Sequence, residues 1–491
     1  MADEEVRSGD LGYERLGSRR LGLVDVIAQS VGFMGPVFSV AFLIPAIAGI
    51  ISATGKGAGT AAPLAVLIAA VGVFALGWLV AQYAKRIHAA GSLYDYVSNG
   101  LGRTIGAATG YLYYAGTIVL TIGLGVLIGG FIYDTLLLEF DRAPLPIWAW
   151  NTIWAVALFL VLYLGVRIST RVQLTLALIS VAVVLAFFIY VIIEVGSGND
   201  LGKAFDPSGS TTGDMNGVLF GVLYGVLIFV GFETAANLAE ETGEPRRQIP
   251  RAVLFSVVVV SIFYVIAAYT QVAGFGFSLD ALGEAAAAPL FVLASPDGFG
   301  STALVRIMEL VVLLDILAVG IGAAVASTRG VFAMSRDRRL PSPLASVSGK
   351  HGTPVGAIVL LIVLQALAIL ATEFWDDLFA LPETAHYFAM FLWGSTFGGF
   401  ALVVVYLLLA VGSLFGLWEG ANRFGLVVAV VVGVAITAGA IYGAFADVTS
   451  PILLAPIYAL VVLGVGLLAA VAFRGREPAR VALPDLRTHP E

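Results

Sequence analysis

Residues 31–36 read VGFMGP and residues 230–235 read VGFETA. Each stretch places glycine inside a run of apolar residues, where it weakens a helix that would otherwise be regular. Pro36 lacks an N–H group and its ring clashes with the carbonyl of Gly32, while Gly35 tolerates almost any backbone turn. We therefore predict that the helix around Pro36 is interrupted near the middle of the membrane, with a half-helix beginning at Pro36.

The composition is that of an integral membrane protein. Of the 491 residues, 59% are hydrophobic and only 12% are charged, whereas about a quarter of the residues of a soluble domain are charged. The net charge of -7 and the scattered basic residues exclude a nucleic-acid-binding surface. The chain has no cysteine, which excludes disulfides, thiolate ligands and cysteine nucleophiles.

Windows of about 19 residues predict twelve transmembrane helices, most of them near the length of about 20 residues that crosses a bilayer. The spans are 22–50, 61–84, 104–137, 146–165, 172–195, 216–239, 251–275, 303–333, 354–372, 386–411, 425–446 and 450–473. With the amino terminus in the cytoplasm, only four of the 26 Lys and Arg lie outside, at Lys56, Arg142, Lys203 and Arg306. This distribution obeys the positive-inside rule.

The spans divide the chain into four parts of a multi-pass plasma-membrane protein. We expect a cytoplasmic tail at 1–20, a transport core at 21–412, two further helices at 413–473 and a cytoplasmic tail at 474–491. The apolar run that begins at residue 22 is too long for a signal peptide, so we expect the amino terminus to be retained. Acids and prolines interrupt segment 276–300, which predicts a short re-entrant or interfacial helix on the outer surface, or else a long loop.

Four helices separate the first and the sixth span, so one runs outward and the other inward. Two interrupted helices in these positions are typical of an inverted repeat of five plus five helices, with the substrate site where the breaks meet. Irregular backbone at this depth is tolerated when it is buried in protein or lines a cavity. For the first span alone, a structural helix kinked by proline is an equal alternative.

The stretch FVGFETAANLAEETGEPRRQIPRA (229–252) resembles the signature of the amino acid-polyamine-organocation (APC) superfamily of permeases, and HAAGSLYDYVSNGLG (88–102) and STRGVFAMSRDRRLP (327–341) agree with it in order and spacing. The resemblance implies secondary transport of amino acids or related amines by alternating access, with a polyamine or organic-cation permease as the alternative. It also implies that backbone N–H groups of the first break bind a substrate carboxylate, and that carbonyls of both breaks receive its ammonium. The matching positions are Gly32, Phe33, Met34, Gly35, Phe229, Val230, Gly231 and Phe232.

Two positions depart from the superfamily pattern. Met34-Gly35-Pro36 stands where many relatives have Gly-Ser-Gly, which removes one N–H group and makes a neutral or cationic amine a more plausible substrate. Ser180 stands where some proton-coupled relatives have lysine, so a proton carried on that lysine is not available.

Several side chains are candidates for ion coupling or for lining the site. A carboxylate within the membrane is costly, so we expect Glu233 to face the bundle interior and to carry a coupling proton, with a structural acid as the alternative. Ser327 and Thr328 are candidates for Na⁺ coordination or for helix packing. Asp315 is expected near the outer mouth, as an interfacial acid or as an outer gate that attracts cations. Tyr113, Tyr114, Trp393 and Phe397 either line the site or fill the bundle.

We expect no cofactor beyond a coupling H⁺ or Na⁺, a small-molecule substrate, and no bound metal, because the four histidines lack metal-ligand spacing. The charged run at 240–251 is expected to be a solvated cytoplasmic loop. A membrane enzyme is disfavoured because HExxH, P-loop and nucleophile-elbow motifs are absent. A channel is disfavoured because two breaks form an occludable site. Oligomeric state stays open.

Overall fold

A computed structural model describes residues 21–50, 55–285, 288–381, 384–446, 448 and 450–472, with the side chains of 166–168 excepted; the two predicted tails lie outside these residues. The described part of the chain is predominantly helical. Its α-helices are α1 (Leu23–Met34), α2 (Pro36–Phe42), α3 (Ile44–Ala48), α4 (Ala62–Ala84), α5 (Leu93–Leu101), α6 (Arg103–Phe140), α7 (Ile147–Leu164), α8 (Val166–Val195), α9 (Leu201–Ala204), α10 (Met215–Leu227), α11 (Pro245–Gly274), α12 (Leu279–Glu284), α13 (Pro289–Ala294), α14 (Thr302–Arg336), α15 (Val355–Phe374), α16 (His386–Gly416), α17 (Arg423–Gly443) and α18 (Leu454–Ala472).

Eleven helical segments in the described ranges are long and apolar enough to cross a membrane, with α1 and α2 together counting as one. The predicted sixth span is not among them, because α10 has only 13 residues. Irregular chain follows α10, and a 3₁₀ helix then runs over Thr234–Leu238. The all-helical membrane architecture is confirmed, whereas the count of twelve full-length helices is not.

The predicted first span consists of three helices. Gly35 ends α1 and begins α2 in the left-handed conformation, with φ of +57°, and Pro36 is the first residue of α2. This position suits proline, since its missing N–H group would lack a helical acceptor in any case. A second interruption, at Leu43 just before Pro45, was not predicted, although proline carries the same signal there.

The helix contacts show the symmetry expected of an inverted repeat, in which each contact in one half has an equivalent in the other. Contacts of α6 with α16 are matched by contacts of α14 with α8, and contacts of α1 with α11 by those of α10 with α4. The pair α6 and α7 likewise matches α14 and α15. In each match, every helix of one contact is replaced by the helix that holds the same position in the other group of five predicted spans. The helices α17 and α18 pack outside this arrangement, mainly against α16, α4 and α6.

The interrupted first span lies near the centre together with α14 and α16, and 72% of its most apolar stretch is buried inside the protein. In α14 and α16, 78% of the residues in the most apolar stretch of the helix are buried inside the protein, whereas the share is 28% in α7, α15 and α18. The peripheral helices expose large apolar side chains, such as Ile153 and Leu160 of α7, as expected for a surface in contact with lipid.

Segment 276–300 contains two short helices rather than the one that was predicted. They are α12 and α13, and residues 286–287 between them lie outside the described part. The second of them packs against α14, α11 and α2, next to the interrupted first span.

Candidate functional site

The two predicted breaks touch each other in the bundle core. Gly231 has a φ of +111°, and a Cβ atom placed there would lie 2.8 Å from Cγ of Phe33. The Ser30 hydroxyl donates a hydrogen bond of 2.8 Å to the carbonyl of Phe232, and the Thr234 hydroxyl donates one of 2.6 Å to the carbonyl of Gly231. Side chains therefore satisfy backbone groups that the irregular segment would otherwise leave without partners.

One side chain connects carbonyls of both breaks. The Tyr264 hydroxyl on α11 lies 2.8 Å from the carbonyl oxygen of Ile228 and 3.2 Å from that of Met34. Met34 O also accepts a hydrogen bond of 3.0 Å from the Ser39 hydroxyl. The ring of Phe229 packs edge-on against Tyr264, with centroids 5.2 Å apart. Sequence analysis missed Tyr264, because nothing in the apolar run of α11 distinguishes it.

The other predicted binding positions lie in the same region. Gly32 packs against the side chain of Gln173 on α8, and Gly35 packs against Val319 on α14. Val230 is buried. The polar atoms of Gln173 are buried and have no hydrogen-bond partner among the described residues. Gln173 is therefore a polar group at the first break that sequence analysis did not identify.

Asp315 on α14 is not the interfacial acid that was expected. Its side chain is fully buried, and its Oδ2 accepts hydrogen bonds from the backbone N–H groups of Val37 (2.9 Å) and Phe38 (2.8 Å). These N–H groups belong to the first turn of α2, which has no earlier carbonyl to bind them. Asp315 reaches these N–H groups because α14 packs directly against α2.

Glu233 is fully buried and is held by two tyrosines. The Tyr113 hydroxyl on α6 donates to Oε1 and the Tyr406 hydroxyl on α16 donates to Oε2, each at 2.8 Å. An ionised carboxylate only accepts hydrogen bonds, so both contacts suit the charged form. Glu233 thus joins the second break to α6 and α16, as the prediction of an inward-facing carboxylate requires.

The three hydroxyl candidates do not form one cluster. The Ser180 hydroxyl lies 2.7 Å from the carbonyl oxygen of Val311, which precedes Ser327 by roughly 24 Å along α14. The Ser327 hydroxyl donates at 2.7 Å to the carbonyl of Ala323, and the Thr328 hydroxyl donates within the same helix. These contacts match the helix-packing alternative for Ser327 and Thr328. Coordination of Na⁺ by the two hydroxyls stays a prediction.

The remaining aromatic candidates occupy different places. The Tyr114 hydroxyl donates a hydrogen bond of 2.7 Å to the carbonyl of Gly91, in the chain before α5. Trp393 stacks on Phe379 with ring centroids 3.9 Å apart, and on Phe397 at 5.7 Å. Of the four, Tyr113 is the one with a hydrogen bond to a predicted coupling residue among the described residues, Glu233.

Two ion pairs, one buried and one partly buried, connect the chain after the second break to α14. Arg329 Nε lies 2.7 Å from Glu241 Oε2, and both side chains are only 3% exposed. Arg336 donates to both oxygens of Glu240, at 2.9 and 2.7 Å, and Glu240 also accepts from the backbone N–H of Ala90 at 3.0 Å. Of the first two residues of the predicted solvated loop, Glu241 is therefore buried, and the side chain of Glu240 is partly buried.

Further contacts extend this arrangement. The Tyr94 hydroxyl donates a hydrogen bond of 3.0 Å to Asp337 Oδ2, so the three stretches that carry the superfamily resemblance meet at one end of the bundle. Burial and the positive charge of Arg246 lower the pKa of the nearby His88, which leaves it neutral at physiological pH. We call Glu240, Glu241, Arg329, Arg336, Tyr94 and Asp337 the ion-pair network.

A sequence profile described as amino acid permease matches residues 31–483. The chain belongs to the amino acid permease family. This permease is 25% identical over 331 residues to the branched-chain amino acid permease BcaP of Bacillus subtilis, covering 62% of this chain and 67% of that protein. It is 23% identical over 343 residues to the amino-acid permease RocC of the same organism, covering 68% of each chain.

The fold of the permease also has solved relatives. Variants of the manganese transporter of Eremococcus coleocola superpose with a TM-score of 0.53 at 13% sequence identity, over 95% of this chain and 98% of that one. Family, relatives and fold together show a multi-pass membrane transporter of amino acids or related amines. They confirm the superfamily assignment made from the three sequence stretches.

Proposed function

We propose that this permease is a secondary active transporter that works by alternating access and binds its substrate where the two breaks meet. The observation that carries the proposal is the Tyr264 hydroxyl, which lies within hydrogen-bond distance of a carbonyl on each break. A hydroxyl in this position bonds to both segments only while they are in contact. Separation of the segments frees the carbonyls for water or for a ligand, as opening of an occluded site requires.

Peptide groups at the breaks are the proposed ligands for the polar head of the substrate. Regular helix ties up its backbone groups, whereas interrupted helices leave some available at membrane depth. The proposed positions are Gly32, Phe33, Met34, Gly35, Phe229, Val230, Gly231 and Phe232.

Glu233 is the proposed proton carrier. Its carboxylate bridges Tyr113 and Tyr406 from two helices, so relative movement of α6 and α16 changes its hydrogen bonds and hence its affinity for a proton. Sodium coordination by Ser327 and Thr328 is the second candidate. Ser180 lies on α8 and contacts α14 at Val311, roughly 24 Å along that helix from Ser327, which is too far to share the site. Transport by this scheme involves no covalent reaction of the substrate.

The ion-pair network is proposed to close the cytoplasmic end. The positive-inside rule places both termini and the loops bearing most Lys and Arg in the cytoplasm, which assigns Glu240, Glu241, Arg329 and Arg336 to that side. The plasma membrane is the proposed location. Closure at this end leaves the opposite end free to open, which is the arrangement that alternating access requires.

Uptake into proteoliposomes tests this function. Purified permease is reconstituted, and a panel of labelled amino acids, including leucine and lysine, and of amines is offered with imposed proton or sodium gradients. The proposal predicts saturable accumulation of at least one compound, driven by the proton gradient. Flux that equilibrates without responding to either gradient would contradict secondary active transport, and sodium-driven, pH-indifferent uptake would move the coupling role from Glu233 to Ser327 and Thr328.

A further inference from the structure

Asp315 binds backbone N–H groups immediately after the first break, next to the positions where the superfamily resemblance places a substrate carboxylate. Its Oδ2 accepts hydrogen bonds from the backbone N–H groups of Val37 and Phe38, at 2.9 and 2.8 Å. A Cβ atom placed on Gly35 would lie 3.5 Å from the same oxygen. The carboxylate therefore lies against the break itself, and the N–H groups beyond Pro36 are already bonded to a side chain of the protein.

A second carboxylate does not fit beside this one. A substrate carboxylate at the first break would have to displace Asp315 from two hydrogen bonds or lie in contact with it. Like charges at such distances repel strongly where the surroundings exclude water. Amino acids are thus disfavoured in this orientation, whereas a molecule with an ammonium group and no carboxylate avoids the conflict.

The other oxygen of Asp315 lacks a partner within the protein. Oδ1 is buried and has no hydrogen-bond partner among the described residues, and no described Lys or Arg forms an ion pair with Asp315. Acidic groups inside a membrane protein normally pair with a cation or mark a ligand path. The nearest buried cation on the same helix, Arg329, is paired with Glu241. A ligand ammonium would supply the missing charge.

Aromatic rings surround the helix that Asp315 caps. The Phe38 ring lies 5.4 Å from Phe42 and 5.8 Å from Phe391 of α16, measured between centroids. Phe42 in turn lies 6.1 Å from Phe388. Aromatic faces attract ammonium groups and pack against apolar bodies. A carboxylate beside such a cluster matches the two parts of an amine with an apolar body.

From these contacts we infer that Asp315 binds the substrate ammonium through Oδ1, and that the preferred substrates are primary amines with an apolar body and no α-carboxylate. Asp315 takes the place of the substrate carboxylate at the first break, so the permease carries its own anion there. The inference rests on the proposed transport function and narrows its substrate class.

Matched pairs of compounds that differ only by the carboxylate test the substrate class. Labelled phenylalanine and phenethylamine, leucine and isoamylamine, and lysine and cadaverine are offered separately to wild-type proteoliposomes. We expect at least one of the two apolar amines to be taken up at least about tenfold faster than its amino acid. Faster uptake of the amino acid in every transported pair overturns the inference but leaves the transport function standing. Uptake of neither member of any pair overturns both.

The variant Asp315→Asn tests the residue. Asparagine keeps one oxygen for the Val37 and Phe38 N–H groups but removes the charge. Amine uptake should fall at least about tenfold relative to uptake of the paired amino acid, while Glu309→Gln, a change in another acid of α14, should leave the ratio unchanged. An unchanged ratio in monodisperse Asp315→Asn protein overturns the assignment, and if this variant does not fold, the wild-type pairs decide.

Discussion

Replacing Glu241 with glutamine removes one half of the buried ion pair that joins the chain after the second break to α14. The carboxylate oxygen lies 2.7 Å from Arg329 Nε, and both side chains are almost fully enclosed. After Glu241→Gln, the guanidinium keeps its burial but loses its counter-charge. Opening of the bundle at this end would then allow Arg329 to reach water, so the change should favour the opened state.

The size of the expected shift toward the opened state follows from the burial of the ion pair. Removing one partner of a buried ion pair costs about 3–5 kcal/mol, and about 1.4 kcal/mol is a factor of ten in an equilibrium. If the cost falls on the closed arrangement, its population relative to the opened one decreases by a factor of about 10² to about 4 × 10³. The neighbouring pair of Glu244 and Arg247 is 3.8 Å apart and exposed, and such pairs contribute about 0–1 kcal/mol.

Thiol labelling measures this opening, because the chain has no cysteine of its own. Ala236→Cys introduces one thiol at a fully buried position between the second break and the ion-pair network. We expect Glu241→Gln to raise its labelling rate by a membrane-impermeant reagent at least about a hundredfold, the smaller end of the estimate above. Glu244→Gln is the matched control and should leave the rate unchanged.

A double variant separates loss of the pair from general disruption. Adding Arg329→Met to Glu241→Gln removes the unpaired charge, and a neutral buried pair is often as stable as the original. Labelling should then return toward the parent rate. Equal labelling of the Glu241→Gln and parent proteins, or an equal rise in Glu244→Gln, would refute the role of the network in closing this end.

Three further changes test the breaks. Gly231→Ala should lower the melting temperature and abolish uptake, because a φ of +111° costs alanine about 1–3 kcal/mol of backbone strain and the new Cβ would press on Phe33. In the control Gly464→Ala the new Cβ meets open space, so this change should do neither. Tyr264→Phe should weaken substrate binding and stability by about 1–3 kcal/mol, measured by binding isotherms and melting, since the buried carbonyl of Ile228 loses its donor, whereas that of Met34 keeps Ser39. Glu233→Gln should flatten the pH profile of uptake with substrate affinity retained, whereas an unchanged profile with lower stability would mark it as structural.

The parts of the fold that depend on local chemistry could be predicted from the sequence. Proline and glycine act on their own backbone, so the interruption at Gly35 and Pro36 follows from two adjacent residues. Apolar runs define the other long helices in the same way. The interruption of the sixth span was predicted at Gly231, whereas its regular helix already ends at Leu227, which hydropathy does not register.

The parts that depend on distant contacts could not be predicted. Asp315 and Val37 are 278 residues apart, and the sequence does not show that α14 places a carboxylate on the first turn of α2. Glu240 and Glu241 lie in a charged run that resembles a solvated loop, and the partial burial of Glu240 and the full burial of Glu241 follow only from packing against α14. Residues of this kind decide the chemistry of the candidate site.

Substrate protection of a single cysteine tests the central claim, that the substrate binds where the two breaks meet. Val230→Cys places a thiol on the second break, and Asp297→Cys places one on an exposed loop as a control. A compound identified by uptake should slow labelling of Val230→Cys at concentrations near its transport affinity and leave labelling of Asp297→Cys unchanged. Identical labelling of a transport-active Val230→Cys protein with and without saturating substrate would contradict the account.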